Sequence, residues 1–229
     1  MDTPRRPASG TLHIVATPIG NLEDITLRAL RVLRECDLVV AEDTRRTRRL
    51  LTAHGIARPM TSLPAFDEGR RLPAILAKLE ARETLALCTD AGTPGVSDPG
   101  AALVRAALAE GHTVVPVPGA SAVLAALAGS GMSADSFCFL GFLPRTPGKL
   151  RRTLERALEG EHTVAFFESP LRLARTLRLA GPVIGQRPVV VARELTKLHE
   201  CFISGTADEL AARLAAVPVR GECTILVGS

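Results

Sequence analysis

Short apolar runs alternate with amphipathic stretches along the chain from Thr11 onward. The runs include TLHIVA at 11–16 and TLALC at 84–88, and the stretches between them carry apolar residues at helical spacing. This alternation is typical of α/β units. About five strands fall on each side of a joint near residues 117–120, which predicts two small α/β lobes rather than one ten-stranded sheet.

The same pattern gives the expected elements. Strands are expected at 11–16, 37–41, 58–63, 84–88, 112–117, 136–142, 162–168, 188–194, 199–204 and 222–227. Helices are expected between them, including one at 118–131, one at 170–179, and one at 207–216 with a capping box formed by Thr206 and Glu209. We expect residues 1–10 to be a disordered lead, 11–118 the first lobe and 119–229 the second.

Composition narrows the classes of protein that remain. The 229 residues contain no run of eighteen apolar residues, and the first ten lack the apolar core of a signal peptide, so we expect a cytoplasmic protein with no membrane span. The five cysteines are scattered without C-x-x-C spacing, which favours buried thiols over disulfides or a metal site. The net charge of +4 permits a polyanionic partner. Since Trp and Tyr are absent, any platform for stacking bases must use Phe or Arg.

The segment DAGTPGVSDPG at 90–100 follows a strand-like run and precedes a helix-like one. Ligands of open α/β sheets bind at the carboxyl ends of strands. Three glycines allow backbone to approach a bound molecule, and two prolines stiffen the loop. The pattern alone fits a ligand-binding loop or an ordinary rigid connector.

Other strand-end loops carry charged residues. Glu42 and Asp43 follow the second strand, where they suit either ribose hydroxyls or the positive end of a helix. Four arginines then crowd one and a half turns of that helix, so the repulsion between them favours phosphate binding over a merely solvated face. These arginines are Arg45, Arg46, Arg48 and Arg49, and Arg145 belongs to a further basic cluster. Neither G-x-G-x-x-G nor a P-loop sequence occurs, which argues against a dehydrogenase or P-loop NTPase.

Seven motifs occur in a fixed order: TPIGNLEDIT, AEDTR, DAGTPGVSDPG, PVPGASA, GFLPR, FFES and ARELTK. Together they resemble the bacterial small-subunit ribosomal RNA (cytidine-2′-O)-methyltransferase I family, of the tetrapyrrole-methylase-like superfamily (class III methyltransferases). The resemblance covers about residues 11–228. It implies two α/β lobes with S-adenosylmethionine (SAM) in the cleft between them, a homodimer, and 2′-O-methylation of a cytidine in the decoding centre of 16S rRNA, on the 30S subunit or free rRNA.

The resemblance also implies cofactor contacts at matching positions. In the first half these are Pro18, Ile19, Asp90, Gly92, Thr93, Pro94 and Val96, and around the joint they are Gly119, Ala120 and Ser121. In the second half they are Phe167, Ala192 and Cys223. A sulfonium and an adenine need close backbone contacts and an apolar slot more than they need charges, which agrees with this set.

A ribose hydroxyl is a poor nucleophile, so a nearby base or cation should help to remove its proton. Our candidates are Lys197, with Glu194 to orient it, and Glu42 or Asp43; Arg45 and Arg193 would position phosphate or ribose. The alternative for Glu194 and Lys197 is a structural ion pair. No metal is expected.

Two other functions stay open: methylation of a tetrapyrrole or other small substrate, and a non-catalytic module for RNA binding or ribosome assembly.

The chain departs from the family pattern in three places. Relatives often carry histidines near 65–69, where this chain has AFDEG, and a histidine at the position of Leu171. Histidines at these positions are therefore not indispensable. Many relatives also continue past the position of Ser229 with a small helical region, so the sequence is either naturally short or truncated there.

Overall fold

The computed structural model describes residues 9–216 and 220–229. They fall into two compact units that divide after Ser121. Residues 1–8 of the expected lead lie outside the described residues.

The first unit is built on a parallel sheet. Its strands are β1 (Thr11–Val15), β2 (Leu38–Ala41), β3 (Met60–Ser62), β4 (Thr84–Cys88) and β5 (Thr113–Val117), in the order β3-β2-β4-β1-β5. Its helices are α1 (Leu27–Glu35), α2 (Thr44–Ala53), α3 (Glu68–Glu80) and α4 (Ala101–Ala109). Every pairing in this sheet is parallel, so the segments that follow the strands leave from one edge.

Both faces of this sheet are covered, because successive side chains of a strand point to opposite faces. On one face Val39 and Ala86 pack in a core with residues of α1 such as Leu33. On the other face Leu85 packs in a core with residues of α3 and α4, including Leu103. Coverage on both faces explains why the strands read as continuous apolar runs.

The second unit has a mixed sheet. Its strands are β6 (Phe137–Phe142), β7 (Thr163–Glu168), β8 (Val189–Arg193), β9 (Cys201–Gly205) and β10 (Cys223–Val227), in the order β6-β7-β10-β8-β9. Its helices are α5 (Ala122–Ser130), α6 (Pro147–Ala157), α7 (Leu173–Ile184) and α8 (Ala207–Ala215). Only β6 and β7 pair in parallel. The predicted α/β fold with two five-stranded sheets is confirmed.

Two predicted helices have different bounds. The helix expected at 118–131 begins only at Ala122. The helix expected at 170–179 is α7, which continues through Pro182 to Ile184. Packing against α8 stabilises this last part of α7, since Gly181 lies so close to Asp208 that a Cβ would be 2.5 Å from the carboxylate. The helix ends at Gly185, which has a φ of +64°. The predicted capping box of α8 is confirmed. In the described part of the chain no helix is long and apolar enough to cross a membrane.

Candidate cofactor and substrate sites

The loops after β1 and β4 are fastened to each other. Thr17 and Gly92 exchange two backbone hydrogen bonds, with N–O distances of 2.8 and 3.0 Å. The buried Thr17 hydroxyl also donates to the Thr89 carbonyl at 3.1 Å. The segment 90–100 is therefore held at the carboxyl edge of the first sheet, beside the segment that contains Pro18 and Ile19.

The path of the 90–100 segment depends on its glycines. Gly92, Gly95 and Gly100 have φ values of +77°, +82° and +122°, which L side chains rarely adopt. At Gly100 there is also no room, because a Cβ would lie 2.6 Å from the Leu87 side chain. The loop turns back on itself through a hydrogen bond from the Gly95 N–H to the Pro99 carbonyl at 3.1 Å.

A cluster of carboxylates lies where β2 and β4 end. The Glu42 carboxylate accepts a hydrogen bond from the Asp90 N–H at 3.3 Å, and the Asp90 carboxylate accepts one from the Asp43 N–H at 3.2 Å. Burial raises the pKa of Glu42, although the bond from the Asp90 N–H opposes the shift, and burial also raises the pKa of Asp90. Both carboxylates are thus better proton acceptors than ordinary exposed ones.

Asp43 has a different environment. It is the N-cap of α2, where its carboxylate accepts from the Arg45 backbone N–H at 2.8 Å and pairs with the Arg45 guanidinium at 2.8 Å. The side-chain hydrogen bond from Arg45 lowers the pKa of Asp43 to about 2. The helix-terminus interpretation therefore describes Asp43, whereas Glu42 precedes the cap.

The arginines of α2 share one exposed surface. The helix buries Thr47, Leu50 and Leu51, which leaves Arg45, Arg46, Arg48 and Arg49 exposed. Arg45 pairs with Asp43, and Arg46 pairs with Asp90 at 3.3 Å. Among the described residues, Arg48 and Arg49 have no ion-pair partner; with Arg45, Thr52 and Ala53 they line a shallow concavity. Two of the four cations thus remain uncompensated, and self-repulsion of this kind does not stabilise the helix.

The remaining first-unit residues predicted for the cofactor also follow strands of this sheet. Ile19 packs near Gly92, with its Cγ2 3.7 Å from where a Gly92 Cβ would lie. A Cβ on Gly119 would lie 3.0 Å from the Ala16 Cβ, so the segment after β5 closely approaches the one after β1. The predicted residues that follow β1, β4 and β5 at this edge are Pro18, Ile19, Asp90, Gly92, Thr93, Pro94, Val96, Gly119, Ala120 and Ser121.

The second unit brings its own candidates to one sheet edge. Phe167 on β7 and Ala192 on β8 both pair with Thr224 of β10, and one step further along Arg193 pairs with Cys223. Phe142 at the end of β6 pairs with Phe167, so Arg145, exposed three residues later, follows a strand that ends at this edge. Burial raises the pKa of the Cys223 thiol to about 11 and keeps it neutral.

Lys197 is held by two carboxylates. Its Nζ lies 2.8 Å from Glu194 Oε1 and 2.9 Å from Glu222 Oε2, and Glu194 also accepts from the Glu222 N–H at 3.0 Å. Glu194 and Thr196 adopt φ values of +52° and +65°, so the turn is strained to keep this arrangement. Burial opposes the charge on Lys197, but the two carboxylates outweigh it and raise its pKa. Lys197 is therefore a firmly held cation.

Three glutamates in these regions carry no role in the sequence interpretation. Glu222 completes the Lys197 network across 25 residues of sequence. Glu68 accepts hydrogen bonds from the N–H groups of Gly100 and Leu103, which caps α4. Glu168, at the end of β7, has a side chain only 1% exposed. The FFES motif marks Glu168, but nothing in the sequence indicates the long-range partners of Glu68 and Glu222.

Glu168 lies in a closed polar cluster. Its carboxylate accepts from the Thr176 hydroxyl at 2.6 Å and from the Ser169 N–H at 2.8 Å, and it pairs with the Arg172 guanidinium at 3.1 Å. All four residues belong to β7, the turn after it and α7. The cluster fixes the backbone directly after Phe167.

Known proteins of similar sequence show the family to which the chain belongs. The family model described as "Tetrapyrrole (Corrin/Porphyrin) Methylases" matches residues 11–211. The chain belongs to the tetrapyrrole methylase family. "Ribosomal RNA small subunit methyltransferase I" of Thermotoga maritima is 47% identical over 219 residues, which cover 95% of this chain and 98% of that protein. The protein of the same name from Halalkalibacterium halodurans is 43% identical over 226 residues, covering 98% of this chain and 78% of that protein.

Solved structures of tetrapyrrole methylases share the fold. Uroporphyrin-III C-methyltransferase from Thermus thermophilus, complexed with S-adenosylhomocysteine, superposes with a TM-score of 0.69 at 20% identity, covering 96% of this chain and 98% of that one. The relatives named above confirm the resemblance to the small-subunit rRNA methyltransferase I family that the seven motifs indicate. Within residues 9–216 and 220–229, no group of three or more His, Cys, Asp or Glu side chains is placed to hold a metal ion.

Proposed function

We propose that this chain transfers a methyl group from SAM to the ribose 2′-oxygen of a cytidine in the decoding centre of 16S rRNA. The observation that carries the proposal is the 47% identity to a small-subunit rRNA methyltransferase along nearly the whole length of both chains. Homologues of that name also match at 43–47% identity from several other bacteria. The choice of a ribose oxygen and of a cytidine rests on the motif resemblance alone.

The carboxyl-edge residues of the first unit suit SAM. The hydroxyl of Thr89, at the end of β4, is buried and has no hydrogen-bond partner among the described residues, so it can receive a polar ligand group. Asp90 and Glu42 offer carboxylates for hydroxyl or ammonium groups. We therefore assign SAM to this edge. The second-unit contacts Phe167, Ala192 and Cys223 that the resemblance implies stay predictions.

When bound, SAM would supply a methyl group attached to a positively charged sulfur, and that sulfur would become a neutral thioether when the C–S bond breaks and the methyl is transferred to the 2′-oxygen. The chain must orient the hydroxyl and accept its proton. We assign the proton to Glu42, because burial raises its pKa, and not to Asp43, whose pKa is low. Since Lys197 is a held cation, its role is to stabilise negative charge that develops on the 2′-oxygen, with Glu194 as its positioning residue.

The basic residues suit the RNA backbone. Arg48 and Arg49 have no acidic partner in the described structure, so they are available to phosphates without first breaking an ion pair. Arg45 and Arg46 share their charge with Asp43 and Asp90. We assign phosphate contacts to these four arginines, and to Arg145 and Arg193 of the second unit. We further infer a homodimer that acts in the cytoplasm, in keeping with the family resemblance.

The deciding experiment incubates unmethylated 30S subunits with labelled SAM and maps 2′-O-methylation as a block to alkaline cleavage. We expect one protected ribose in the decoding region, and no transfer to a uroporphyrinogen substrate. Label in the tetrapyrrole, or none in 30S, would contradict the assignment.

Single-turnover rates test the role of Lys197. Lys197→Ala should slow the methyl-transfer step at least about 10-fold, while Lys197→Arg, which keeps a cation, should recover part of the rate. A near-normal rate in a folded Lys197→Ala variant would remove Lys197 from the chemistry.

A further inference from the structure

Phe66 is the most exposed aromatic side chain in the described structure. It lies in a 3₁₀ helix (Ala65–Asp67) directly after β3, and it is 92% exposed, against 60% for Phe142 and 41% for Phe137. A single exposed apolar residue is common and has no meaning by itself. The contacts and charges around Phe66 indicate that this ring is a binding residue.

The segment that carries Phe66 is rigidly held. Asp67 binds Arg70 through one carboxylate oxygen and Arg71 through the other, both at 2.9 Å, and Arg71 also donates to the Ser62 carbonyl at 3.2 Å. The next residue, Glu68, accepts from the Gly100 N–H at 3.1 Å. Phe66 thus lies on a turn that is held by ion pairs and hydrogen-bonded to the 90–100 segment. Little conformational entropy of the turn remains to be lost when the ring binds a ligand.

The exposed arginine of this turn favours an anionic partner, although Arg70 and Arg71 share the Asp67 carboxylate. Arg70 contacts Asp67 through Nε, and its side chain remains 86% exposed. Strand β3 pairs with β2 in parallel, with Ser62 opposite Ala41, so this turn and the arginines of α2 leave the sheet from the same edge. An exposed aromatic ring beside an exposed arginine is a combination by which proteins bind unpaired nucleotides, with the base on the ring and the phosphate on the cation.

We propose that Phe66 is a stacking platform for an unpaired base of the RNA substrate, and that Arg70 contacts the adjoining phosphate. This inference rests on the proposed function, since it takes the RNA to be the substrate. The other exposed aromatics lie in the second unit, so Phe66 is the aromatic ring that the first unit presents at its carboxyl edge.

The test measures RNA binding apart from catalysis. A short single-stranded RNA with 2-aminopurine at its unpaired positions is titrated with wild type, Phe66→Ala, Phe66→Leu and Phe66→Trp, and the same variants are assayed for methylation of unmethylated 30S subunits. Leu108→Ala is the matched control, because Leu108 is an exposed large apolar residue of the same unit near the far end of α4. Melting temperature and SAM affinity are measured for each variant.

We expect Phe66→Ala to weaken RNA binding between about 5-fold and about 100-fold and to abolish the quenching of 2-aminopurine. Phe66→Leu should behave like Ala, Phe66→Trp should bind at least as tightly as wild type, and SAM affinity and melting temperature should not change. Unchanged RNA affinity in Phe66→Ala, or full quenching in Phe66→Leu, overturns the stacking role even if wild type methylates 30S. Failure of wild type to methylate 30S while the Phe66 dependence of RNA binding persists overturns the proposed function instead.

Discussion

Removing the Glu168 carboxylate should destabilise the second unit far more than removing an exposed carboxylate. Glu168→Ala deprives the Arg172 guanidinium, the Thr176 hydroxyl and the Ser169 N–H of their common acceptor. Breaking a buried ion pair typically costs about 3–5 kcal/mol. Because the Arg172 side chain is 26% exposed and can be partly hydrated, we expect the lower end, about 3 kcal/mol of unfolding free energy.

Two further variants calibrate this value. Glu168→Gln keeps only one acceptor oxygen, whereas the carboxylate accepts from the Ser169 N–H at Oε1 and from the Thr176 hydroxyl at Oε2. It also loses the charge, so a loss smaller than that of Glu168→Ala is expected. Glu35→Ala, whose carboxylate is 61% exposed and pairs with Arg31 at 3.2 Å, should cost less than about 1 kcal/mol. Urea unfolding followed by far-UV circular dichroism gives the free energies, since the chain has no Trp or Tyr to report by fluorescence. A loss below about 1 kcal/mol for Glu168→Ala would refute the idea that the carboxylate holds this cluster together.

Two other predictions concern the first unit. Gly100→Ala should lower the free energy of unfolding by about 2 kcal/mol or more and weaken SAM binding, because the new Cβ would meet Leu87 and the residue has a φ of +122°. Calorimetric titration with SAM measures the effect on binding. An unaltered SAM affinity would show that this turn is separate from the cofactor site. Glu42→Gln should raise the melting temperature at pH 7, because burial raises the pKa of Glu42 and the folded state pays to ionise it. The gain should disappear below the pKa of the unfolded carboxyl, about 4.3, and melts that show no gain at pH 7 would contradict the burial argument.

The sequence predicts elements better than it predicts how they meet. Apolar periodicity locates the strands because burial on both faces leaves uninterrupted apolar runs, as at 84–88. It places the end of α7 too early, because Pro182 reads as a helix breaker until the packing of Gly181 on Asp208 is known. The candidate sites show the same limit, since the sequence marks Lys197 and Glu194 but not Glu222, which sheet register alone brings beside them.

The environments of the charged candidates favour different chemical roles in the proposed reaction. A lysine that acts as a base needs a depressed pKa, whereas the carboxylates of Glu194 and Glu222 raise that of Lys197 and commit it to its charged form. Glu42 has the opposite tendency, because burial favours its protonated state and makes it the better acceptor of a hydroxyl proton. If both take part, replacing Glu42 should steepen the dependence of rate on pH, while replacing Lys197 should lower the rate uniformly from pH 6 to 9. In the proposed reaction, the charge states thus favour proton transfer to Glu42 and charge stabilisation by Lys197.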